Sequence, residues 1–110
     1  EAYLVRLSVG DLCGDQNIHT TDDIYKKADQ LGLELCPAEV GPHLRLKLKD
    51  QPMNDWFRIA MKQIAAPGGR PCVFRLGCGG GGVWLDRYWA EPTREWGPGY
   101  TFIFRLVPRK

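Results

Sequence analysis

A chain of 110 residues with 44% hydrophobic and 25% charged residues has the mix of one folded domain spanning 1–110, able to bury a core without disulfides or metal. Its formal net charge of +2 gives no overall field toward nucleic acid or a membrane. No apolar run approaches a bilayer span and Glu1 to Arg6 has no signal-peptide pattern, so a cytoplasmic location without membrane contact is expected, with Cys13, Cys36, Cys72 and Cys78 as reduced thiols.

Tyr3, Val5, Leu7 and Val9 alternate with polar residues, the period of a half-buried first strand. After a polar loop, Thr20 or Thr21 caps a predicted helix with Asp22 and Asp23 in its first turn, Ile24, Ala28 and Leu31 on one stripe, and Gly32 at its end. From His43 to Lys49 basic residues alternate strictly with leucine, which predicts a strand with one wet face. Trp56 to Ile64 fits both a strand, with Phe57, Ile59 and Met61 on one side, and a helix capped by Asn54. The strand is favoured. Cys72 to Gly77 and Val83 to Trp89 flank Gly79 to Gly82 as a hairpin, and Tyr100, Phe102, Phe104 and Leu106 alternate along a last strand. The expected fold is α+β: a mainly antiparallel sheet of about five strands with one principal helix on one face.

Gly77, Gly79 and Gly82 have the G-x-G-x-x-G spacing of a dinucleotide loop, but a strand pattern follows, so no helix start is available for phosphates and the glycines read as a turn. No C-x-x-C knuckle exists, and neither a metal nor a cofactor is predicted. His19 and His43 read as solvated surface residues, with nothing adjacent in sequence to orient them for catalysis.

Two concentrations remain. If 43–49 is a strand, Arg45, Lys47 and Lys49 point to one side, joined by Arg58 and Lys62 if the next segment pairs with it. Such a row either serves an anionic partner or is a solvated face guarding an edge. Trp84, Tyr88, Trp89, Trp96 and Tyr100 crowd the last third with Arg87 and Arg94, a composition shared by binding grooves, dimer contacts and cores. Trp84 and Trp89 are five apart on a strand and so face opposite sides.

Leu31 to Pro42, continued by Leu44-Arg45-Leu46, Asp50-Gln51-Pro52, Trp56, Ile59-Ala60-Met61, Trp84-Leu85 and Trp96-Gly97-Pro98 to Phe102-Ile103-Phe104, resembles a group of small bacterial proteins of the kind carried as mobile integron gene cassettes. The resemblance covers most of the chain after the first loop. It implies a self-contained bacterial protein and carries over no catalytic residue.

The leading expectation is a non-enzymatic binding or interaction domain using Arg45, Lys47, Arg58, Trp84, Arg87, Trp89 and Trp96, its partner a small ligand, another protein or a second copy of the chain. The alternatives are a small enzyme with a pocket between helix and sheet, where His43, Asp86 or Glu91 acts as acid or base, and a nucleic-acid-binding module on the basic row.

Overall fold

A computed structural model describes residues 3–14 and 18–107; part of the polar loop expected after the first strand lies outside them. The elements run β1 (Tyr3–Ser8), α1 (Val9–Cys13), β2 (His19–Thr20), α2 (Thr21–Gln30), α3 (Val40–Lys47), β3 (Trp56–Ile59), β4 (Ile64–Ala65), β5 (Pro71–Gly79), β6 (Gly82–Trp89), β7 (Glu95–Trp96) and β8 (Thr101–Leu106).

The chain is α+β with a mostly antiparallel sheet, and three helices stand where one principal helix was expected. Instead of about five antiparallel strands the main sheet has six and is mixed, ordered β1, β8, β3, β5, with β3 parallel to β8. The full length of β5 pairs with β6 on one edge, while β3 and then β4 occupy its other edge. A separate ribbon joins β2 to β7. Among the described residues, no helix is long and apolar enough to cross a membrane.

The local signals explain most of these elements. Ser8 and Thr20 cap α1 and α2, each accepting from the backbone N–H three residues on while Asp11 and Asp23 reach back to the cap. Trp56 to Ile59 is a strand as favoured, and the glycine hairpin forms, with Gly82 at φ 107° supplying the left-handed backbone that its turn requires.

The basic and leucine alternation at 43–49 is not a strand. Residues 40–47 form α3, and Leu46, which a strand would have buried with its neighbours, is 72% exposed. Between Gly41 and Lys49 there is no β-branched residue, and leucine, lysine and arginine are strong helix formers, so intrinsic propensity overrides the period of two. The row of Arg45, Lys47, Lys49, Arg58 and Lys62 on one sheet face therefore does not exist. His43 is solvent-exposed, as expected, but on α3 rather than on a strand, and His19 is half-buried in β2 with its Nε2 unpartnered among the described residues.

One cluster of buried side chains, with Trp96, Phe57, Phe102, Phe104, Ile24, Ile59 and Met61 the largest, joins the sheet to α1 and α2. Tyr25 of α2 donates its hydroxyl proton to Met61 O at 2.8 Å and accepts from Met61 N at 3.2 Å, which ties the helix to the segment after β3. Burial pushes the Tyr25 phenol well above its ordinary range.

Gly77 lies under the Trp84 indole across the β5–β6 pair, and a Cβ there would stand 2.1 Å from Trp84 Cζ2. Gly77→Ala is expected to cost about 1–3 kcal/mol, an overpacking penalty, and to change the tryptophan emission of the folded protein, as read by urea denaturation. Arg6 of β1 donates to both carboxylate oxygens of Asp55, at 3.0 and 2.7 Å, and Gln51 adds a further bond at 3.0 Å. The Arg6 hydrogen bonds hold the Asp55 carboxyl below its ordinary pKa against the opposing effect of burial. A depressed carboxyl contributes stability above its unfolded pKa and loses it as pH falls through the folded value. Asp55→Asn should therefore lower the melting temperature at pH 7, and the gap to the native chain should close as the pH falls below the ordinary carboxylate range and the depressed carboxyl takes up its proton.

Candidate functional site

The candidate site is built on the sheet face that carries the odd-numbered positions of β5. Register sets Trp56 and Arg58 of β3 opposite Gly77 and Arg75 of β5, and sets these opposite Trp84 and Asp86 of β6, with Tyr88 one pair further along. The period-two alternation puts all of them on one side. The segment from Glu91 to Tyr100 comes down on the same face. Its course is fixed by backbone bonds to both helices: Thr21 N donates to Arg94 O at 2.9 Å, Asp22 N to Pro92 O at 3.0 Å, Val9 N to Tyr100 O at 2.8 Å and Gly10 N to Pro98 O at 3.0 Å.

Trp96 anchors that segment. It is 1% exposed, donates its indole N–H to Thr21 Oγ1 at 2.8 Å, and meets Phe102 and Tyr100 edge-to-face at centroid separations of 5.2 and 5.3 Å.

Arg58 lies at the centre. It is 3% exposed, and its guanidinium carbon sits 4.9 Å from the Tyr100 ring, 5.0 Å from Trp96 and 5.3 Å from Tyr88. Arg94 covers Trp96 at 4.6 Å and Tyr88 at 4.8 Å; Arg75 covers Tyr88 at 4.1 Å and Trp84 at 5.1 Å. Arginines and rings thus interleave across the sheet face. Arg75 is paired with Asp86 through bonds of 3.1 and 2.8 Å. Among the described residues, Arg58 and Arg94 have no carboxylate within ion-pair distance, and the Nε of each is buried without a partner.

Burial pushes the Arg58 pKa down to about 10, and the neighbouring charges of Arg75 and Arg94 push the same way, while Tyr100 and Tyr88 oppose them. Relative to an ordinary guanidinium at 12.5, the charged form is disfavoured. The electron-rich ring faces offset part of this, at roughly 0.5–2 kcal/mol for each close pair.

Above Arg58 opens a cavity of about 380 Å³, lined by Trp56, Arg58, Arg75, Tyr88, Gly99, Tyr100 and Thr101. Trp56 and Tyr100 stand at it 47% and 40% exposed. The volume lies at the small end of the range of ligand pockets.

Of the residues singled out from sequence, Arg58, Trp84 and Trp96 meet on this surface. Arg87 and Trp89 fall on the opposite face, opposite Phe74 and Cys72, with Arg70 over the Trp89 ring at 4.3 Å. Arg45 and Lys47 belong to α3, which packs on that opposite face through Gly41 and Phe74. Arg45 is structural: its Nη1 donates to Gly77 O at 3.0 Å and Trp84 O at 2.9 Å. The acid/base candidates do not converge, because Asp86 is held by Arg75, Glu91 by Arg70, and His43 projects from α3. Tyr88, Tyr100 and Arg94, members of the aromatic concentration not among the expected binding residues, also belong to this surface. Arg75 and Trp56 carried a fainter signal, their strand parity with Gly77 and Arg58. Compared with known proteins, the chain matches no family model, no curated protein and no solved structure.

Thr21→Val keeps the shape of the Trp96 contact but leaves the indole N–H buried without an acceptor. A loss of about 1–3 kcal/mol is expected, seen as a lower urea midpoint with an unchanged slope.

Proposed function

We propose that this chain is a non-enzymatic binding domain, bacterial in keeping with its resemblance to small mobile-cassette proteins, and that the arginine and aromatic cavity takes a small ligand bearing an anionic group. The observation that carries the reading is Arg58: a buried guanidinium surrounded by rings and by two further arginines, with no carboxylate in range among the described residues.

A charge removed from water is costly unless it is paired and hydrogen-bonded. Ring faces supply attraction but no hydrogen-bond acceptor in the guanidinium plane, so the N–H donors of Arg58 lack the partner that a carboxylate or phosphate provides in planar, two-pronged fashion. An anion entering the cavity would meet those donors in surroundings of low polarity, where the attraction is strongest. It would also separate Arg58 electrostatically from Arg75 and Arg94. The interleaved rings hold the guanidinium in place beforehand, so little side-chain freedom is lost when the anion binds.

Inorganic phosphate or citrate, compared with chloride at equal ionic strength, should raise the melting temperature. The rise should be about 5 °C at a tenfold excess over the dissociation constant. Arg58→Met, which keeps an unbranched side chain of similar reach, should change the anion-free stability by less than about 2 kcal/mol, since lost cation–π contacts and relieved burial of charge oppose one another. The same variant should abolish the anion-dependent rise. An equal rise in native and variant chains would overturn the assignment to this cavity.

A further inference from the structure

We infer that the ligand of this cavity is a phosphate monoester of a sugar that also bears a flat base, the chemistry of a nucleoside monophosphate or of the phosphorylated end of a single nucleic-acid strand. The inference rests on the proposed anion site and adds to it the charge of the head group and the shape of the rest.

Charge comes first. Of the three arginines interleaved with the rings, Arg75 is neutralised by Asp86, whereas Arg58 and Arg94 have no carboxylate within ion-pair distance among the described residues. Two positive charges without a salt-bridge partner, Arg94 feeling Glu91 only at longer range, suit a phosphate monoester, which carries about −1.5 to −2 at neutral pH, better than a single carboxylate. Arg58 lines the cavity itself, and Arg94 stands behind it across the rings of Tyr88 and Trp96, which both guanidiniums share. Arg58 is therefore the residue that touches the phosphate, and Arg94 acts on it through the field.

Shape comes from the mouth. Trp96, deeper in the same group of rings, is fully buried, but Trp56 and Tyr100 remain largely exposed where the cavity opens. One face of Tyr100 is taken by Arg58 and its ring meets Trp96 edge-to-face, whereas Trp56 has neither a cation nor another ring against it among the described residues. Exposed rings beside a basic pocket are the arrangement on which bases stack, since every base offers a π-face. Between the rings the rim is small and polar: Gly99 has open space where a Cβ would project, and the Thr101 hydroxyl lies 3.5 Å from Trp56 O and accepts from Arg6 Nε at 3.3 Å. A volume of about 380 Å³ has room for one ring and one phosphate and is small for a dinucleotide.

The test is a set of titrations of the folded chain followed by tryptophan fluorescence and calorimetry, with adenosine monophosphate, ribose 5-phosphate, adenosine, and a short oligothymidylate with a 5′-phosphate as probes. Adenosine monophosphate should bind roughly tenfold or more tighter than ribose 5-phosphate, the value of one base stacked on an aromatic ring. Trp56→Ala should narrow that ratio to about threefold or less, and Arg94→Gln should weaken both phosphates, with the fold of each variant checked by its melting curve. Ribose 5-phosphate binding as tightly as adenosine monophosphate would overturn the ring requirement while leaving the anion site standing. Adenosine binding as tightly as adenosine monophosphate would overturn the phosphate requirement, and no binding of any phosphate would remove the anion site as well. Within the inference, tighter and salt-dependent binding of the oligothymidylate assigns the ligand to a strand end, and equal binding of the mononucleotide assigns it to a free nucleotide.

Discussion

The indole of Trp96 sits where three otherwise separate parts of the chain meet. Its N–H is bonded to Thr21 at the start of α2, it meets Phe102 of the sheet and Tyr100 in edge-to-face contacts, and both Arg58 and Arg94 lie over its ring. That buried anchor holds the rings and arginines of the segment between β6 and β8 against the sheet. The neighbouring backbone bonds from α1 and α2 to Pro92, Arg94, Pro98 and Tyr100 set the height of this segment above β3 and β5, and so the depth of the cavity.

A buried arginine ringed by aromatic faces is a compromise between two opposing energies. Desolvation and the two neighbouring guanidiniums disfavour the charge, while the rings of Tyr88, Trp96 and Tyr100 favour it. A position filled only for packing would be served as well by methionine or leucine, which carry no such penalty. The chain keeps a charge whose buried Nε lacks a protein acceptor, beside a cavity open to solvent.

The two faces of the sheet divide the labour. The Phe74 face is covered by α3, whose Arg45 cross-links the β5–β6 hairpin through the carbonyls of Gly77 and Trp84. On the other face, Gly77 gives up its side chain so that Trp84 can lie flat against the strand, within reach of Arg75. The same pair of residues is thus stapled from one side and stacked on the other. This gives the arginine and aromatic face a rigid floor of paired strands rather than a floor of loops.

The cap of α2, the glycine turn and the alternating strands at both ends were decided by residues within a few positions of one another, so the linear sequence by itself determined them, whereas Val9, expected in the first strand, begins α1. The α+β class and the opposite faces of Trp84 and Trp89 follow from the same local rules. The segment 43–49 misled because its leucines alternate at a strand's period while its residue types favour a helix, and only packing against Phe74 reveals which tendency prevails. Tertiary structure alone decided the cavity. Arg58, Arg75, Tyr88, Arg94, Trp96 and Tyr100 come from four strands and the loops on either side of β7, and parallel pairing of β3 with β8 has no signature in either strand, since it depends on where a long connection returns. Composition announced arginines and rings; which rings an arginine meets, and whether a carboxylate lies within reach, are facts of distance across the sheet.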